Sequence, residues 1–138
     1  METIKGKNPF IWTEISVDDL QRAKKFYEAV LQVQLQTLPV PEPMEQDENN
    51  ENYFQMLAFP ADMMGSGSSG TLVKSSMGKP GVGGTLVYFH SDDCDIELSR
   101  VEAAGGKIIA GKMSLGEYGF CGICEDSEGN NIGFHSMK

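Results

Sequence analysis

The strongest constraint on this chain is an internal repeat. Gly84 to Gly106 reads as a strand, a pair of aspartates, an amphipathic helix and a double-glycine stop, and Ile11 to Leu31 runs through the same strand, aspartate pair and helix. A shift of 74 residues lays Asp18-Asp19 on Asp92-Asp93, Leu20 on Cys94, Tyr27 on Val101 and Glu28-Ala29 on Glu102-Ala103. Two copies of one small unit are therefore expected, with function where the copies face each other.

Each unit resolves into the same elements. Phe10 to Ser16 alternates and is rich in aromatic and β-branched residues, as a half-buried strand requires. Asp18, with Gln21 three places on, has the spacing of a capping box. Leu20, Ala23, Tyr27, Val30 and Leu31 then recur at helical spacing, with Lys24 and Lys25 off that stripe. Strands are predicted over Val33 to Leu38, Tyr53 to Phe59 and Thr71 to Ser75. The acidic run Pro41 to Glu51 and the Gly/Ser-rich run Met63 to Gly70 read as loops. The acidic run lacks the regular ligand spacing and central glycine of a calcium loop. No strand feeds the glycine run into a helix, and no Gly-Lys-Ser/Thr follows, so it is not a phosphate loop. Gly78 to Gly84 separates the copies. The second opens with a strand, Thr85 to His90. Asp92 or Asp93 caps its helix, whose stripe is Cys94, Leu98, Val101 and Ala104, and Gly105-Gly106 ends it. Strands follow at Lys107 to Ala110, Tyr118 to Cys124 and Asn131 to Ser136. The fold class is α+β: two βαβββ modules, about 8–77 and 84–138, in a single domain. With helices on one side only, each four-stranded sheet keeps an uncovered face.

Composition narrows the partners. The chain has 138 residues, 40% hydrophobic and 22% charged, enough for one compact core. Its net charge of −9 opposes phosphate backbones and anionic lipid, so neither nucleic acid nor membrane is expected as a partner. No apolar run nears the roughly 18 residues of a membrane span, and Met1 to Asn8 lacks the apolar centre of a secretory signal, which points to the cytoplasm. Three cysteines in such a chain should be reduced thiols. Cys121-Gly122-Ile123-Cys124 is formally a C-x-x-C motif, but residues three apart on a strand face opposite ways and neither chelate nor bridge readily.

The strand-Asp-Asp-helix pattern, Phe26-Tyr27 in the first helix, and Asp126-Ser127-Glu128-Gly129-Asn130 followed by Ile132 resemble the vicinal oxygen chelate superfamily. That group includes lactoylglutathione lyases, extradiol ring-cleavage dioxygenases and bleomycin-binding resistance proteins. The resemblance covers Phe10 to Lys138 and is strongest over Gly84 to Ser136. It implies two curved sheets forming a cup, helices outside and ligand inside. It also implies a divalent metal held by His and Glu, one from each of four strands. At the matching positions stand Trp12, Leu86 and Gly133, and no His, Asp or Glu occurs between Ser66 and Gly78. All four expected ligands are missing.

The strand period of two then fills the cup with other groups. If Trp12 faces in, so do Glu14 and Ser16; if Leu86 does, so do Tyr88 and His90; if Gly133 does, so do Asn131 and His135. Trp12, Glu14, Leu86, Tyr88, Gly133 and His135 are the candidate ligand-binding residues. Such a pocket suits a small organic molecule, with apolar area giving affinity and a few polar groups giving orientation. No cofactor is expected, although Glu14, His90 and His135 are potential ligands for a displaced metal. Each candidate also has a structural reading: Trp12 as filler, Glu14 as a hydrogen-bonded acceptor, the histidines as solvated strand ends.

Two functional classes follow. One is a metal-free binding module for a neutral or cationic amphipathic molecule. The other is an enzyme using a non-standard metal, or Glu14 as general base. Open sheet edges favour a homodimer, and the cup could close within one chain or across two.

Overall fold

The computed structural model describes residues 10, 12–40, 45–62, 64–76, 78–83 and 85–138. Its elements are β1 (Trp12–Ser16), α1 (Leu20–Leu31), β2 (Gln36–Leu38), β3 (Phe54–Ala58), β4 (Ser69–Ser75), β5 (Val87–His90), α2 (Cys94–Val101), β6 (Lys107–Ser114), a short 3₁₀ turn (Gly116–Tyr118), β7 (Phe120–Glu125) and β8 (Asn131–Ser136). They form two four-stranded mixed sheets, β1-β4-β3-β2 and β5-β8-β7-β6. In both, the first strand lies parallel to the last and every other pair is antiparallel. The two copies thus share one topology, and β1 and β5 keep one free edge each among the described residues. No described helix is long and apolar enough to cross a membrane.

Several boundaries differ from those predicted. Asp19, rather than Asp18, caps α1: its carboxylate accepts from Arg22 N at 3.0 Å. In the second copy the cap is Asp93. The strand predicted from Val33 begins only at Gln36, because Gln32 turns into the left-handed region (φ 56°) and the Glu28 carboxylate takes the Leu35 N–H at 2.7 Å. The strand predicted from Thr71 starts two residues earlier, so the glycine-rich link contributes Ser69 and Gly70 to β4. The acidic run is not wholly solvated: Glu45 bridges Tyr53, and Glu48 pairs with Lys74 at 3.0 Å. Residues 41–44 of that run lie outside the described residues, as do all of Met1 to Asn8 and the link residue Met63.

One core joins the copies. Ile15, Leu72 and Leu57 stand in register across β1, β4 and β3 and pack beneath Ala23, Tyr27 and Val30 of α1. In the second sheet Cys124, Ile132 and Phe134 pack beneath Cys94, Leu98 and Val101 of α2. These belong to a single cluster, welded by aromatic edges: Tyr27 of α1 meets Phe59 at 5.5 Å and Phe89 of β5 at 5.9 Å between centroids. The helices touch directly. Phe26 reaches Val101 and Gly106, where an added Cβ would lie 2.6 Å from the Phe26 ring and 2.5 Å from the Glu125 carbonyl oxygen. Only glycine admits that approach. Arg100 Nη1 also donates to the Val30 carbonyl at 3.0 Å.

The turn Asp126–Asn130 is the polar half of this joint. Glu128 accepts from Asp18 N (3.1 Å), Asp19 N (2.9 Å), and Arg22 Nε (2.6 Å) and Nη2 (2.9 Å). Its carboxylate therefore sits at the positive end of α1, where free backbone N–H groups favour an anion. Asp126 accepts from the Tyr27 hydroxyl at 2.6 Å, and Asn130 Nδ2 donates to the Ser16 carbonyl at 2.9 Å.

Candidate functional site

The side of each sheet away from the shared core carries no helix, and the predicted residues lie there. On β1 the alternation of burial places Ile15 in the core and leaves Trp12 and Glu14 outward. Register aligns Trp12 with Ser69, Glu14 with Thr71 and Ser16 with Val73, so these six share one face. Trp12 is 47% exposed, and its indole Nε1 donates to Glu14 Oε2 at 3.1 Å. That bond holds an aromatic plane in place beside the sheet. Thr71, next to Glu14, is fully buried, and its hydroxyl oxygen has no hydrogen-bond partner. A buried hydroxyl without a protein partner is costly.

The second sheet repeats the arrangement with different chemistry. Tyr88 pairs with Gly133 and His90 with His135. A Cβ on Gly133 would lie 2.6 Å from the Tyr88 ring, so the ring rests on the bare backbone of β8 and remains 49% exposed. An aromatic covering a cross-strand glycine fixes its own orientation. Leu86 lies just before β5 and is also exposed. His90 is exposed, 3.7 Å from Asp92, while His135 is half-buried across from Cys121. The structure thus brings Trp12 and Glu14 together on one face, and Tyr88, Gly133 and His135 on the other.

The metal centre implied by the resemblance is not supported by the donors present. Among the described residues no three His, Cys, Asp or Glu side chains converge, so Glu14, His90 and His135 make no such group within one chain. Cys121 and Cys124 are reduced and buried on opposite faces of β7. Burial first, then the Asp126 charge, pushes the Cys124 thiol up to about 12, which leaves it unreactive.

Sequence reasoning missed one charged residue on a buried face. Glu97 is buried on α2 and accepts from Ser91 Oγ at 3.0 Å. The signal was present: three positions past Cys94, it falls on the helix's apolar stripe.

The comparisons agree with this architecture. The model of the Glyoxalase/Bleomycin resistance protein/Dioxygenase superfamily matches residues 10–134. The chain belongs to that superfamily. Among solved structures, a glyoxalase I mutant from Zea mays superposes with TM-score 0.66 at 19% identity, covering 94% of this chain and 46% of that one. This chain thus spans about half the length of that relative. TnmS3, an antibiotic binding protein from Streptomyces sp. CB03234, gives TM-score 0.62 at 20% identity, covering 95% and 97%. A glyoxalase/bleomycin resistance protein from Albidiferax ferrireducens gives 0.60 at 20%, covering 94% and 98%. No curated protein matches the chain. At these identities the structural likenesses establish the fold.

Proposed function

We propose that this protein binds a small amphipathic organic molecule on the helix-free faces of its sheets, without a metal ion. The supporting observation is the trio on the first sheet: an indole oriented by Glu14, next to a buried hydroxyl that has no partner. Apolar planes with a few placed polar groups are the usual lining of such sites. The antibiotic-binding relative of similar length points the same way. A face whose aromatics stand half in water is an incomplete pocket. We assign its completion to a second copy, the first sheet of one protomer closing over the second sheet of the other. The free edges of β1 and β5 and the exposed Trp12, Leu86 and Tyr88 favour that pairing.

The test uses the single tryptophan. Titration with a panel of aromatic amphiphiles is expected to change Trp12 emission saturably. Trp12→Ala should weaken binding by about tenfold or more, since one stacked aromatic contributes on the order of 1–3 kcal/mol. Light scattering should report a dimer. Panel-wide silence, or a stoichiometric divalent ion in the purified protein, overturns this reading. A Glu14→Gln variant that loses turnover while keeping affinity would instead make the protein a catalyst with Glu14 as base.

A further inference from the structure

A cavity of about 340 Å³ is lined by both edge strands, β1 and β5. Its strand walls are Thr13 and Ile15 from β1, Ser69 and Gly70 from β4, and all four residues of β5, Val87 to His90. The repeat shift of 74 carries Thr13 onto Val87 and Ile15 onto Phe89, so equivalent positions of the two copies line the cavity.

Two further differences between the copies lie beside it. Val17 and Ala23 of the first copy, both buried, correspond to Ser91 and Glu97 of the second, also buried. Where one module packs methyl groups, the other holds a hydroxyl and a carboxyl group, and Glu97 lines the cavity. Ser91 Oγ donates to Glu97 Oε2 at 3.0 Å, and no other donor to Glu97 is found among the described residues. The fold does not require an acid there, because Ala23 serves the equivalent place in the same core. A carboxylate so buried, with one neutral donor, destabilises the protein unless a further partner arrives. No lysine or arginine lines the cavity.

We propose that this cavity is a second binding site, for a small organic amine whose ammonium group meets Glu97 and whose apolar body lies against Ile15, Phe59 and Phe89. The volume is at the small end of the roughly 300–1,000 Å³ usual for ligand pockets. It fits a compact arylalkyl amine better than a drug-sized molecule. The aromatic walls, with Phe59 and Phe89 centroids 5.7 Å apart, also attract a cation. The site shares Ser69 and Tyr88 with the open faces, whereas Trp12 and Glu14 are not among its lining residues.

The probe is 2-phenylethylamine at neutral pH, with 2-phenylethanol as the uncharged match, followed by NMR on the intact protein. Saturable shifts are expected at the Thr13, Ile15 and Val87 methyl groups, with the Trp12 indole N–H unmoved. The amine should bind at least about tenfold more tightly than the alcohol, as charge-assisted hydrogen bonds exceed neutral ones. Glu97→Gln keeps the shape and the acceptor for Ser91, and should erase that preference. Amine and alcohol binding alike to the unmodified protein, shifts confined to Trp12, or a preference that survives in Glu97→Gln each overturns the proposal. The comparison on unmodified protein decides the matter even if the variant does not fold.

Discussion

At the scale of single residues, the polar groups of the interior divide by whether they are partnered. The Tyr27 hydroxyl donates to Asp126, whose other oxygen accepts from Glu128 N at 2.8 Å and Asn130 N at 2.9 Å. Burial, reinforced by the Asp126 charge, holds the phenol well above its ordinary pKa, so it remains a donor at any working pH. Tyr27→Phe removes the donor and leaves a buried carboxylate under-satisfied, and should cost about 1–3 kcal/mol in urea unfolding. Thr71 is the opposite case. Exchanging its unpartnered hydroxyl for a methyl group in Thr71→Val should stabilise the protein by about 1 kcal/mol, seen as a higher thermal midpoint, while weakening binding on the first sheet. A stability loss in Thr71→Val would mean that the hydroxyl already has a partner. Which residues alternate onto which face was legible in the sequence, because strand period is a local property. The Tyr27–Asp126 bond was not, nor was the lack of a partner for Thr71, since both depend on residues dozens of positions away.

At the scale of elements, the first helix is held at its start by the other module. The sequence showed an aspartate pair and a capping spacing; the cap fell on Asp19, one residue along, and Glu128 accepts from the N–H groups of both Asp18 and Asp19. The Asp126–Asn130 turn, a family mark when read as sequence, is a clamp when seen in the fold. Burial alone would raise the Glu128 pKa. Bonding to Arg22, Asp19 N and Ser127 outweighs it and holds the carboxyl below its usual value. A lowered folded-state pKa means the stabilisation is complete above the unfolded value of about 4.3 and is lost as pH falls through the folded one. Glu128→Gln should therefore unfold more easily than the parent at pH 7, by a margin that closes toward pH 3. A constant margin across a pH series of denaturant titrations would assign the effect to shape rather than charge. Asp19→Ala, by removing the cap alone, should cost about 1 kcal/mol in denaturant unfolding.

At the scale of the whole molecule, the repeat that was visible in the sequence specified the topology of each half but not how the halves are fastened. The sheet order follows from the duplicated strand-helix pattern. The fastening does not, for Phe26 on Gly106, Arg100 on Val30 and Tyr27 on Phe89 are contacts with no local signature. The outer faces, by contrast, could be listed beforehand residue by residue from the strand period. The buried acid of α2 lay within reach of the same periodicity argument that identified its apolar neighbours.

The shared core has a consequence for how such a duplication persists. Once Phe26 and Tyr27 of the first helix lean on the second module, neither segment retains a sufficient interior of its own. Residues 10–77 or 85–138 produced alone should remain unstructured by circular dichroism, yet regain the native spectrum when mixed in equal amounts. If either fragment folds by itself, the halves are still neighbours of convenience; if neither does, the ancestral unit has become hostage to its twin.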